Sequence, residues 1–182
     1  AHGARPHLGV NAIEVAAAII EQLKGIHLDP LVPYSVKMTQ LSAGSKSSNI
    51  IPGSAQFHLD LRAQTNEVIH ALFARVEHIL QHVSRLYEVE LSYEITERVY
   101  AAEVNEEARL IMADAITQAL GAEKLEPPIQ TPGAEDFHYY TKERPQLRAT
   151  MLGLGCGLTP GLHHPQMTFE KEALLDGIEI LA

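Results

Sequence analysis

Several residue types are scarce in this sequence, and each shortage rules something out. There is one cysteine, Cys156, so no disulfide can form within the chain. That suits a reducing compartment, and a cytoplasmic protein is the expectation. Basic residues are few: 14 Lys and Arg stand against 23 Asp and Glu, for a net charge of -9. A phosphate backbone or an anionic bilayer is held by clustered basic side chains, so neither nucleic acid nor membrane is an expected partner. No apolar run approaches the roughly 20 residues that span a bilayer. The longest, residues 15–20, is half alanine and belongs to a helix. The opening Ala1-His2-Gly3 has neither a methionine nor a signal-peptide pattern. Both ends are expected to lie inside a longer protein.

What is present reads as ordinary soluble globular sequence, 46% hydrophobic and 20% charged over 182 residues. That length can bury one sizeable core or two small ones. Ile13, Ala16, Ala17, Ile20 and Leu23 recur at helical spacing and predict a helix over residues 10–24. The period then shortens. Val36 and Met38 alternate with Lys37 and Thr39 in a predicted strand over residues 34–41. Phe57, Leu59 and Leu61 alternate with His58, Asp60 and Arg62 in a second, over residues 54–62. A long helix is predicted over residues 66–87, with its stripe on Ile69, Leu72, Phe73, Val76, Leu80 and Val83. Residues 89–95 alternate again and predict a third strand.

Helix, strand, strand, helix, strand lacks only one leading strand to complete βαββαβ, the ferredoxin-like arrangement. That strand would precede residue 1 and lie inside the sheet, so its absence would expose apolar surface and unpaired backbone. A second region begins near residues 101–104. It has a helix at residues 106–120 stopped by Gly121, a buried strand at 147–154, a glycine-rich loop, and a last helix at 169–181.

Four stretches carry side chains fit for chemistry, and each has a plain structural reading beside the functional one. Residues 1–7 place two histidines and an arginine next to a helix start, where an anion could sit, or where a polar loop merely caps the helix. Residues 47–53 lead through Asn49 into the strand that ends on Arg62. An amide and a guanidinium fork could grip a carboxylate, or could simply form a turn and a surface ion pair. Residues 132–137 put Glu135 and Asp136 at a helix start, as the helix dipole alone would favour. Residues 161–165 hold His163 and His164 in a loop feeding a helix, a good mount for a metal ligand but without companions at recognisable spacing. His78 and His82 stand four apart on the long helix but lack the glutamate of a His-Glu-x-x-His site, and are expected on a solvated face.

Taken together and in this order, the four stretches resemble one family: the dimetal aminoacylases, N-acyl-amino-acid amidohydrolases, hippurate hydrolases and diaminopimelate deacylases. Its lid domain carries a Gly-His-small-small-x-Pro-His stretch, matched by His2 to His7, then Asn-Ile-Ile-Pro and a strand ending in Arg, matched by Asn49 to Pro52 and Arg62. Its catalytic domain carries Gly-x-Glu-Asp-Phe, matched by Gly133 to Phe137, and Leu-His-x-Pro, matched by Leu162 to Pro165. The Glu-Asp-Phe form is similar to the bacterial and plant branch that includes auxin-conjugate hydrolases.

The resemblance implies an α/β fold in two parts. Residues 1–102 would be a ferredoxin-like lid and dimerisation domain without its first strand. Residues 103–182 would be the C-terminal part of a zinc-peptidase-like catalytic domain. It further implies hydrolysis of a small N-acyl amino acid or peptide by two divalent ions (Zn, Mn or Co) per site, in a homodimer formed through the lid. His163 would be a metal ligand and His164 would fall on a variable position. His2 would stabilise the oxyanion, reaching a partner's site in dimeric members, while Asn49, Arg62 and Glu135 would bind substrate. The remaining metal ligands and the general-base Glu belong to an upstream half absent here, so this stretch alone is expected to be inactive. The competing readings are a non-catalytic ferredoxin-like dimerisation module and a dipeptidase or carboxypeptidase of the same family. Finding His2, Asn49, Arg62 and His163 scattered rather than around one cleft would favour the module.

Overall fold

A computed structural model describes residues 1–131 and 133–182. The chain forms two compact units: residues 1–103 with 130–138, and residues 104–129 with 139–182.

The first unit is built on α1 (Ala12–Lys24), β1 (Tyr34–Ala43), β2 (Ala55–Ala63) and α2 (Asn66–Tyr87). Both helices begin on a side-chain cap. The Asn11 oxygen accepts from the Ile13 amide, and the Thr65 hydroxyl accepts from the Val68 amide. α2 ends at Glu88, whose φ of 53° is the left-handed turn that closes a helix C-terminus. The buried core joins Val15, Ile19, Leu23 and Ile26 to Leu72, Val76, Leu80 and Val83, with Val36, Met38, Phe57, Leu59 and Leu61 of the sheet packed against it. The α2 stripe is the one expected. The α1 stripe is turned from the expected one: Ile19 is fully buried and Val15 nearly so, whereas Ile13 is 45% exposed and Ala17 is exposed. Alanine-rich helices are apolar on more than one side, so spacing alone did not fix which side faces inward.

β1 and β2 pair antiparallel from Tyr34↔Ala63 to Ala43↔Ala55. The register shifts between Met38 and Gln40, leaving Thr39 as an extra residue. On β2 the core side chains are odd-numbered throughout. On β1 they are even-numbered up to Met38; beyond the bulge, odd-numbered Leu41 pairs with Phe57. The extra residue keeps the two strands in phase.

The third strand expected over residues 89–95 is not formed: among the described residues the sheet has two strands. The side chains nonetheless occupy strand-like places. Val89 and Leu91 pack on the core, and the Tyr93 ring stands edge-on to Phe73 with centroids 6.1 Å apart. Apolar alternation had been enough to seat the segment but not to give its backbone a ladder partner.

The second unit holds α3 (Glu106–Leu120), most of the short α4 (His138–Glu143), and α5 (Ala173–Leu181). Asn105 caps α3 through the Ala108 amide. Gly177 lets α5 approach the chain closely, since a Cβ there would lie 3.1 Å from Leu154. The strand expected over residues 147–154 is absent among the described residues, although the Ala149 carbonyl accepts from the Asn105 amide. Little of this unit is enclosed. Ala173, Gly177 and Ile180 are buried on α5, whereas Leu110, Ile111, Leu175 and Ile178 are each more than half exposed. No helix among the described residues is long and apolar enough to cross a membrane.

Candidate functional site

In the first unit the expected site residues form two groups. His2 and Asn49 belong to the first. Residues 1–3 run antiparallel to residues 49–51: the Gly3 amide donates to the Asn49 carbonyl at 2.7 Å, the Ile51 amide donates to the Ala1 carbonyl at 2.8 Å, and His2 bridges to Ile50. A Cβ on Gly3 would lie 3.3 Å from the Asn49 oxygen, so the approach favours glycine. His2 Nδ1 accepts from the Ala4 amide at 3.1 Å. In the neutral ring an accepting Nδ1 leaves the proton on Nε2, so the free nitrogen is a donor. That is the tautomer an oxyanion donor needs.

Arg62 and Glu135 belong to the second group. Both line a cavity of about 1120 Å3 along β2. Arg62 Nε donates to Asp60 Oδ2 at 2.9 Å, and this bond with the Asp60 charge holds the guanidinium pKa above its usual value. Glu97 and Glu135 add to the same effect. With Nε engaged, the two terminal nitrogens remain for a planar, two-point grip on a carboxylate. The pair is about half exposed, so its own worth to stability is small.

These two groups lie toward opposite ends of β2. Seven residue steps separate Ala55 from Arg62, about 24 Å at strand spacing, and Asn49 precedes the Ala55 end.

His163 lies in the second unit. Its φ of 63° is left-handed backbone, uncommon for a residue with a side chain though less so for histidine. Its exposed ring has no hydrogen-bond or ion-pair partner among the described residues. His164 differs: its Nδ1 accepts from the Gln166 amide at 3.1 Å, tying the ring into its own turn. Among the described residues no group of three or more His, Cys, Asp or Glu could hold a metal ion. The unpartnered His163 imidazole is chemically able to serve as a single metal ligand.

Of the 132–137 stretch, Pro132 lies outside the described residues; Glu135 and Asp136 are exposed. His138, which carried no sequence pattern, is 3% exposed, and burial pushes its pKa below the ordinary histidine value. Its place beside Phe137 was the one available signal. His78 and His82 are exposed and stacked, with ring centroids 4.0 Å apart, on the solvated face expected.

Comparison with known proteins matches residues 1–88 to the peptidase dimerisation domain family. A Synechocystis protein described as a "probable hydrolase" is 30% identical over 192 residues, covering 100% of this chain and 47% of that protein. The N-acetyldiaminopimelate deacetylase of Leuconostoc citreum is 26% identical, with 99% and 46% covered. A Bacillus subtilis structure, described as a dinuclear metal binding peptidase of the M20 family, superposes with a TM-score of 0.70 at 22% identity, covering 94% of this chain and 44% of that one. The chain spans about half the length of the curated relatives it matches.

Proposed function

We propose, from the match of residues 1–88 to the peptidase dimerisation domain family and from the likeness to an N-acetyldiaminopimelate deacetylase and to an M20-family peptidase structure, that this chain is part of a dimeric, metal-dependent amidohydrolase. It cleaves the amide of an N-acyl amino acid or small peptide, in the cytoplasm. Residues 1–102 serve as the lid and dimerisation domain, and residues 103–182 as the end of the catalytic domain.

The observation that carries this reading is the similarity of nearly the whole chain to proteins described as a probable hydrolase and an N-acetyldiaminopimelate deacetylase; the separation of the two polar groups along β2 bears on how a site would be assembled. Two such chains related by a two-fold axis can bring His2 and Asn49 of one protomer to Arg62 and Glu135 of its partner. Each site then takes residues from both protomers. In that site the free Arg62 fork holds the substrate carboxylate. Asn49 positions the acyl part, and His2 donates from Nε2 to the carbonyl oxygen as negative charge builds there. Asp60 and Glu135 keep the guanidinium ionised and aimed. Two divalent ions, when bound, would supply Lewis-acid polarisation of the scissile carbonyl and a water nucleophile of lowered pKa. His163 is the one ligand this chain supplies. The general base and other ligands belong to the longer protein. The exposed apolar faces of α3 and α5 support this, since contiguous apolar surface of that kind is ordinarily covered.

The same separation favours, as a second reading, a dimerisation module with no site of its own. Mixed dimers distinguish the two. In the longer protein, His2→Ala and Arg62→Ala homodimers should each lose activity. His2→Ala acts mainly on turnover, since an oxyanion donor is worth on the order of 3 kcal/mol in the transition state. Co-refolding the two variants regenerates one intact site in each mixed dimer. With random pairing, activity should return to about a quarter of wild type. Mixed dimers that form and stay inactive would overturn the shared-site reading.

A further inference from the structure

Two histidines of α2 have no role in the reading above, and their geometry suits one. His78 and His82 are four residues apart and exposed, on the side of α2 away from its buried stripe of Leu72, Val76, Leu80 and Val83. Their ring centroids lie 4.0 Å apart at an interplanar angle of 40°. α2 is 22 residues long and seated on the core by those four buried side chains. The helix itself therefore fixes the spacing of the two rings, and little ordering remains for a ligand to impose.

The tautomer of one ring is set. His82 Nδ1 lies 2.7 Å from the His78 carbonyl oxygen. A carbonyl can only accept, so Nδ1 donates, and the lone pair of the neutral ring is on Nε2. Histidines ligate metal ions in this arrangement, one nitrogen holding the ring by donating to a carbonyl while the other binds. Two nitrogens, each about 2.0–2.1 Å from one ion, stand roughly 3 Å apart. Rings with centroids 4.0 Å apart can reach that when the His78 ring turns about χ2. Two neighbours oppose a cation. Arg75 and Arg85 stand three residues before His78 and three after His82, and both are exposed. Repulsion between exposed charges is largely screened beyond about 8 Å at physiological salt, and both long side chains can swing into solvent. They weaken a metal site here without abolishing it.

We infer that His78 and His82 together chelate a late first-row divalent ion (Ni2+, Cu2+ or Zn2+) through their Nε2 atoms, with water in the remaining positions. Imidazole donors select these ions over Mg2+ and Ca2+, which take oxygen ligands. The bound ion ties one turn of α2 to the next and stabilises the folded chain by mass action. This inference is independent of the hydrolase reading, since it concerns one face of α2 alone.

The test is equilibrium dialysis of the 182-residue chain against Ni2+, beside His78→Asn, His82→Asn and the double variant. Both positions are exposed, so all three variants should keep the wild-type circular dichroism. Wild type should bind one equivalent more than either single variant. The double variant should bind no less than the singles, because chelation fails when either ring is gone. Ni2+ should raise the thermal midpoint of wild type more than that of any variant, and Mg2+ should not. With Zn2+, long-range 1H-15N spectra should show both Nε2 resonances moving while His82 Nδ1 stays protonated. Equal uptake by wild type and the double variant would overturn the site. Stepwise loss, with each single variant losing half of what the double variant loses, would show two independent imidazoles and overturn chelation. Movement of His82 Nδ1 in place of Nε2 would overturn the assigned ligand atom.

Discussion

Ile19→Ala and Ile13→Ala make the same chemical change six residues apart on α1, and the structure assigns them very different costs. Ile19 is fully buried between Val15 and Leu23, in the cluster that holds Leu72 and Val76. Truncating a buried isoleucine to alanine costs about 2–5 kcal/mol, through lost transfer energy and the cavity left behind. With helices above and sheet below, this site has little room to collapse, so the upper half of that range applies. A loss of about 3–4 kcal/mol is a factor of several hundred in the folding constant and a large share of the stability of a small domain. Ile13 is 45% exposed. Its truncation removes less contact, and alanine's better helix propensity returns a few tenths of a kcal/mol, so the net change should stay within about 0.5 kcal/mol. Urea unfolding of the two variants, followed by helical circular dichroism, gives both numbers from the midpoints, provided the slope matches wild type. Equal losses, or a larger loss at Ile13, would mean that α1 faces the sheet with the other side and that the core is wrongly assigned.

The 182-residue chain should show no amidase activity with added zinc, manganese or cobalt, because no group of three or more metal-ligating side chains stands together among the described residues; metal-dependent turnover of an N-acyl amino acid by the purified chain would refute this. In the longer protein, His163→Ala should lose bound metal by elemental analysis while His164→Ala keeps it; the reverse would show that the turn-bound imidazole is the ligand. His138 should make the chain acid-sensitive. Its folded pKa is depressed by burial below the ordinary 6.5, so the stability linked to it is present above 6.5 and lost as pH falls toward the folded value, with a slope of up to about 1.4 kcal/mol per pH unit. His138→Phe should flatten that part of the profile in urea melts between pH 7.5 and 5; an unchanged difference from wild type across that range would show that His138 does not titrate differently on folding.

The long amphipathic elements were legible from spacing. α2 matched both its limits and its stripe, because 22 residues give six turns over which a period of 3.6 is distinguishable from noise. β1 and β2 were equally plain, as alternation against a one-sided core leaves little freedom of register. The bulge at Thr39 was not, since an extra residue shows only against the partner strand. Residues 89–95 and 147–154 have the side-chain pattern of strands without the ladder; pattern reports which face is apolar, whereas a ladder needs a neighbour. At the site, residue types were readable and their placement was not. His2 and Asn49 come together because residues 1–3 pair with 49–51, a contact across nearly fifty residues. The distance of both from Arg62 follows from the length of β2, which no motif encodes.

That length has a consequence for how such a chain can change. β2 acts as a ruler between the loop that carries Asn49 and the guanidinium of Arg62, and it is graduated in pairs. One residue inserted between Ala55 and Asp60 would turn Arg62 onto the face now held by Leu59 and Leu61, burying a charge against α2. Two inserted residues would restore the face but carry the guanidinium about 7 Å further along. Neither step can be taken up by small adjustments on one chain, because in the dimer proposed here the ruler on one protomer sets where the other protomer's imidazole must arrive. Segments outside residues 49–62 can lengthen, and side chains along the strand can be exchanged. The number of residues between the two marks is what the assembly has to hold constant.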